Sequence, residues 1–195
     1  MKIKQQRSIK KFLETEYPSR KAEEVFYRQS SLLTSMVKSV EDEDGSRFKT
    51  LEQTILPRIA LYKALGDYTG GEERIKIMRR YMIDIVAAKK HASTARMEAV
   101  PGFFYIYRAV FLKIMKTTTL QRSTQTKGKG CYGINITKCL WHDACVRFEC
   151  RELCPLFCDV DDVTYGGLRK IGFSRTKTLG YDGDCCDFHF YQKRE

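Results

Sequence analysis

Cysteine is missing from the first 130 residues; all eight fall within the last 65. Proline occurs four times in 195 residues and tryptophan once, so long helices are permitted over most of the chain. No apolar run approaches the roughly 20 residues that cross a bilayer. The richest stretch, Phe103 to Met115, is interrupted by Arg108 and Lys113. The opening residues Met1-Lys-Ile-Lys-Gln-Gln-Arg-Ser-Ile-Lys10 contain no apolar leader core, which points to a cytoplasmic protein with reduced thiols and argues against a disulfide framework. No Gly-rich phosphate loop, Gly-x-Ser-x-Gly elbow, internal repeat or low-complexity segment stands out.

The net charge of +11 invites a nucleic-acid reading, but its distribution argues against one. Residues 1–130 carry 26 Lys/Arg against 14 Asp/Glu, and residues 131–195 carry 9 against 10. The excess is spread along the helix-rich part and interleaved with acids. There is neither zinc-finger spacing nor an RNP-type aromatic motif. The expectation is a solvated helical surface that attracts small anions, with no nucleic-acid or membrane partner. Oligomeric state leaves no trace in the pattern.

What is present divides in two: a helical region over 1–116 and a cysteine-rich α+β region over 117–195, expected to form one integrated domain. Apolar residues recur at helical spacing over 21–40, with Ser19 as a cap, and over 48–65, where Pro57 demands a kink or a fresh start. A third helix is expected over 72–90 and an aromatic one over 103–115. Beyond these, Thr126 to Gly130 reads as a turn, and Tyr132, Ile134 and Ile136 alternate as on a half-buried strand. A largely helical stretch over 138–163 precedes two strands, 171–178 and 186–192, the second with Cys186, Phe188 and Phe190 on one face. The fold class is therefore α+β: N-terminal helices packed with a C-terminal antiparallel sheet of about four strands carrying inserted helices.

Chemistry concentrates in Cys150-Arg-Glu-Leu-Cys154-Pro-Leu-Phe-Cys158, followed by Asp159, Asp161 and Asp162. On a helix Cys154 and Cys158 stand one turn apart, and Asp161 and Asp162 one turn beyond Cys158. Pro155 suits the first turn of a helix starting near Cys154, a place that favours thiolate. A single free cysteine is usually a small buried hydrophobe, but thiols grouped with carboxylates suggest a site. His142, in Cys139-Leu-Trp-His142-Asp143, is a candidate base or ligand. Zinc is a candidate cofactor, because Cys139, Cys154, Cys158 and Cys186 could converge from different elements. His91 reads as solvated and Cys185 as incidental.

Several segments in order resemble the L-2-amino-thiazoline-4-carboxylic acid hydrolase family. They are Leu56-Pro-Arg-Ile-Ala-Leu-Tyr-Lys-Ala-Leu65, Asn135-Ile-Thr-Lys-Cys139-Leu-Trp-His, Glu152-Leu-Cys-Pro-Leu-Phe-Cys158-Asp-Val-Asp161-Asp162, Arg175-Thr-Lys-Thr-Leu-Gly180 and Asp184-Cys-Cys186-Asp-Phe-His-Phe190. The resemblance implies a hydrolase that opens a cyclic amidine ring of the 2-aminothiazoline-4-carboxylate type to an N-carbamoyl amino acid. In that reaction Asp161 or Asp162 would be the base, and Cys158 and Cys154 would be nucleophile or metal ligands. Arg175, with Lys177 second, would hold the substrate carboxylate. The C-terminal part is also similar to 4-vinyl reductase type ligand-binding domains, which implies the alternative of a small-molecule binding or sensing module without catalysis.

Overall fold

The structure, a computed structural model, describes residues 3–193. Its contacts divide the chain into two compact units that interleave in sequence. The first comprises residues up to Tyr81 together with Ala144–Leu153, and the second Met82–Asp143 together with the chain from Cys154 onward.

The first unit is helical: α1 (Lys4–Glu16), α2 (Ser19–Lys38), α3 (Gly45–Thr50), α4 (Leu56–Leu65) and α5 (Gly71–Arg79). Asp44 caps α3 by accepting the backbone N–H groups of Ser46 and Arg47, each at 3.0 Å. Ser19 is the first residue of α2 rather than its cap; Pro18 precedes it and no side chain caps the helix. Pro57 marks the expected fresh start, sitting in the first turn of α4. Its missing N–H cannot bond the carbonyl of Gln53, and the backbone over Leu51–Ile55 widens into a π-helix. Gln5 supplies the lost donor, its Nε2 reaching the carbonyls of Gln53 (3.0 Å) and Thr54 (3.2 Å). Helix α4 is apolar on nearly every side and is buried accordingly, from Leu56 through Leu65. Gln29, fully buried, donates to the Pro57 carbonyl at 3.2 Å and exchanges amide bonds with Gln6, so α1, α2 and α4 are held by one satisfied polar cluster. The returning segment 144–153 is fastened by Tyr62, whose hydroxyl donates to Glu152 Oε1 at 2.6 Å while Arg74 lies 4.0 Å over the Tyr62 ring.

The second unit holds α6 (Ala88–Met97), α7 (Phe103–Thr117), the start of α8 (Leu140–Arg147) and α9 (Cys154–Tyr165). Its antiparallel sheet is made of β1 (Gln121–Gly128), β2 (Cys131–Cys139), β3 (Ile171–Ser174) and β4 (Cys186–Gln192). Strand order is β1-β2-β4-β3. Strand β1 is where the sequence reading falls short. Its residues are polar throughout, so hydrophobic alternation cannot reveal it, and it forms an exposed edge paired with β2. The hairpin turn is the two residues Lys129-Gly130, with Gly130 left-handed at φ 69°. Strand β3 ends at Ser174, short of the expected 178. Helix α6 runs on to Met97 after a π-helical run, Arg80–Ala87.

One sheet face is apolar because the register sets like against like: Tyr132 opposite Phe190, Ile134 opposite Phe188 and Ile136 opposite Cys186. Tyr132 and Phe190 stack with ring centroids 4.8 Å apart, both buried. Phe103, Phe104, Leu112 and Met115 of α7 complete that core. Beside it, the buried Glu98 accepts the backbone N–H groups of Arg169 (2.9 Å) and Lys170 (2.6 Å), fixing the approach to β3. Phe190→Ala is expected to cost about 3–5 kcal/mol of stability. Denaturant unfolding followed by near-ultraviolet circular dichroism checks this, and a loss below about 1 kcal/mol would contradict a core centred on that ring.

Candidate functional site

Helix α9 carries most of the site. It begins at Cys154 with Pro155 in its first turn, as the sequence suggests, and its apolar residues Leu156, Phe157 and Val160 are buried. Cys150 does not continue the ladder. It lies in the break between α8 and α9, just after Glu149 in a left-handed conformation at φ 51°, and belongs to the first unit. Cys154 and Cys158 remain one turn apart and their thiols hydrogen-bond to one another. That bond, with burial, holds the Cys158 thiol far above its usual range. Thr178 Oγ1 is beside the Cys158 thiol yet makes no hydrogen bond of good geometry. Gly180 lies against this pair because it has no side chain: a Cβ there would stand 2.6 Å from Cys158 Sγ and 3.2 Å from the Cys154 carbonyl.

The other two thiols of the expected quartet are engaged locally. Cys139 accepts the backbone N–H groups of Trp141 and His142, capping α8, and burial nevertheless pushes it up to about 12. Cys186 accepts the Leu179 N–H at 3.4 Å and is likewise raised by burial. Cys186 acts electrostatically on both Cys139 and Cys158, yet Cys139, Cys154, Cys158 and Cys186 are not placed to share one ion. Among the described residues no three His, Cys, Asp or Glu side chains are placed to hold one metal ion. The donor set therefore does not fit zinc.

Asp161 and Asp162 part company. Asp162, half-exposed, is bound by Arg175 Nη2, while Nη1 of the same guanidinium donates to the Cys158 carbonyl at 3.2 Å. Arg175 also stands 3.8 Å from Asp159, which accepts the Tyr181 hydroxyl at 2.8 Å. Burial raises Asp162 above its usual range and Arg175 pulls it back. Asp161, on the neighbouring side of the helix, has no such partner among the described residues: burial pushes it up to about 6, against the opposing charges of Lys90 and Arg175. Its own charge reaches Tyr107, Tyr165 and Cys186, which places it over the aromatic side of the unit.

Among the remaining candidates, Lys177 pairs with Asp184 at 2.6 Å on the surface. His142 is half-buried with Nδ1 3.8 Å from Asp143, away from α9's carboxylates in the contacts it makes. His91 is not solvated as expected; its Nδ1 lies 3.1 Å from the Thr164 carbonyl, tying α6 to α9. Sequence reasoning missed Lys90, which α6 carries past Asp161, and the Tyr107–Tyr165 hydroxyl pair. No short-range spacing links Lys90 or Tyr107 to α9, which carries Tyr165 as its last residue.

A family model described as L-2-amino-thiazoline-4-carboxylic acid hydrolase matches residues 48–190. The chain belongs to that family. No curated protein and no solved structure matches it. The matched span includes Gly180, whose close approach to the thiols is open to a direct test. Gly180→Ala is expected to destabilise the protein by about 1–3 kcal/mol through overpacking. Adding Cys158→Ala should restore a good part of that loss in a double-mutant cycle. Additive losses would show that the clash is with the Cys154 backbone alone.

Proposed function

We propose that this family member is a hydrolase that opens a cyclic amidine ring of the 2-aminothiazoline-4-carboxylate type to an N-carbamoyl amino acid. The observation that carries the reading is Asp161, a half-buried carboxyl raised to about 6, the range of a general base working near neutral pH. The family match supports hydrolysis in general, and the carboxyl supplies the chemistry that hydrolysis needs.

In this reading the ring is protonated at N3, and the oxygen of a water molecule bonds to C2 as ionised Asp161 takes a water proton and the C2=N3 π pair moves onto N3. The C2–S bond then breaks and its electron pair leaves on sulfur. The remaining hydroxyl proton departs as the new carbonyl forms, and the sulfur is reprotonated. A thiolate is a stable enough leaving group that no strong acid is required. Cys158 is assigned as a neutral wall of the site rather than its nucleophile, because burial and its bond to Cys154 oppose loss of the thiol proton. The cation for the substrate's carboxylate is assigned to Lys90 rather than Arg175 or Lys177. Both of the latter are paired within the protein, whereas Lys90 is exposed and its charge already acts on Asp161.

Release of free thiol from 2-aminothiazoline-4-carboxylate, followed with a thiol reagent, tests the activity. kcat/KM should rise with pH through about 6, since the base must be ionised. Asp161→Asn should lower kcat on the order of 10²–10⁴-fold. The same substitution should raise Tm above that pH. The folded state binds the Asp161 proton more tightly than the unfolded chain, so its ionisation opposes folding. Cys158→Ser should keep most of the turnover. Loss of all activity in a folded Cys158→Ser protein would return the thiol to the role of nucleophile. Ligand-induced stabilisation without turnover would favour a binding module instead.

A further inference from the structure

At one end of the sheet in the second unit, three lysines from different parts of the chain come together. Lys170 precedes β3, Lys193 follows β4, and Lys129 stands in the β1–β2 turn. The register that pairs Ile171 with Gln192, carried one residue on, sets Lys170 opposite Lys193, and the Lys193 N–H donates to the Lys170 carbonyl at 3.1 Å. The register that pairs Cys131 with Tyr191 brings Lys129 to the same end, where the Gln192 N–H donates to the Gly130 carbonyl at 2.8 Å. Like charges on neighbouring strands repel and destabilise a sheet. From Ala99 to His142 the chain has seven Lys/Arg and no Asp or Glu, so the turn brings no acid with it. The buried carboxylate of Glu98 is taken up by the backbone N–H groups of Arg169 and Lys170.

A cavity of about 790 Å³ opens here, within the range of about 300–1,000 Å³ that holds small ligands. The three lysines line it together with Gln192, Gly130 and the first turn of α7. No acidic side chain and no arginine lines it. Two of its polar groups are already positioned. Lys193 Nζ donates to the Leu168 carbonyl at 2.8 Å, and the ammonium keeps two further N–H donors. Tyr105 Oη donates to Gln192 Oε1 at 2.9 Å, which fixes the amide and leaves the donors of its nitrogen for a ligand.

We propose that this cavity is a binding site for a compact anion of two or more charges, a phosphate ester or pyrophosphate. Ammonium groups act as point charges and suit such an anion. A planar carboxylate is matched best by an arginine fork, which this lining lacks. The lysines share the anion's charge, and the Gln192 amide supplies directed N–H bonds. The lining includes none of Asp161, Lys90 or the thiols, so the site does not depend on the hydrolase reading.

The test is calorimetry of the intact protein with inorganic pyrophosphate, and with acetate at matched ionic strength. Pyrophosphate is expected to bind saturably, one per chain, at least about tenfold tighter than acetate, and more weakly as salt is added. Lys129→Gln and Lys170→Gln should each weaken it about fivefold or more without lowering the ligand-free Tm, since each relieves repulsion among the lysines. Lys113→Gln removes the same charge from an exposed position of α7 outside the cavity and should leave both readings unchanged. Pyrophosphate should also raise the Tm of the unsubstituted protein, and raise it less in the two cavity variants. Vesicles of phosphatidylcholine with phosphatidic acid separate two sources of the phosphate. Cosedimentation that the cavity variants lose would place it on a lipid headgroup, and no cosedimentation would assign it to a soluble ester. Equal affinity for pyrophosphate and acetate, or equal losses in Lys113→Gln and the cavity variants, would overturn the site. Wild-type pyrophosphate affinity in folded Lys129→Gln and Lys170→Gln proteins would do the same.

Discussion

The register that sets Tyr132 opposite Phe190 is the constraint on which the second unit depends. Side chains alternate across a strand, so a slip by one residue would move Ile134 and Ile136 to the solvent face, together with the rings. With the register fixed, Tyr132 and Phe190 stack and present a flat aromatic floor to α7. Phe173 of β3 extends that floor toward Tyr165 of α9 at 5.3 Å. The polar chemistry of α9 is thereby held against an apolar wall, which is what perturbs it.

The consequence is clearest in two adjacent carboxylates. Asp161 and Asp162 differ by one position and about 100° of helix rotation. Asp162 turns toward the Arg175 guanidinium and is tied down, a pair of structural value. Asp161 turns toward the aromatic side, loses water and gains no such tie, so its proton is held near neutral pH. Burial acts on the thiols in the same direction, but for them it means inertness: a neutral thiol is neither a good nucleophile nor a metal ligand. On the proposed reading, one desolvating environment thus favours the carboxyl over the sulfurs as the reactive group.

The α+β class, the alternation on β2 and β4, the restart at Pro57 and the start of α9 at Cys154 were all legible in the sequence. Each rests on a local rule: strand period, the missing proline donor, or the preference for proline in a first helical turn. Strand β1 was not legible, since an edge strand with both faces polar carries no hydrophobic signal and owes its existence to pairing with β2. Nor was the break at Cys150, where spacing of four suggested a continuous helical ladder.

By itself, the sequence determined which residues could react. It grouped thiols, carboxylates and an arginine in the last third of the chain, and it carried the family match over residues 48–190. Only the tertiary structure decided which of them are in a state to react. Lys90, Tyr107 and Tyr132 come to Asp161 and Tyr165 from helices and strands distant in the chain, and protonation depends on burial and on charges brought close by folding. Those quantities belong to the packed unit and are not written at any single position.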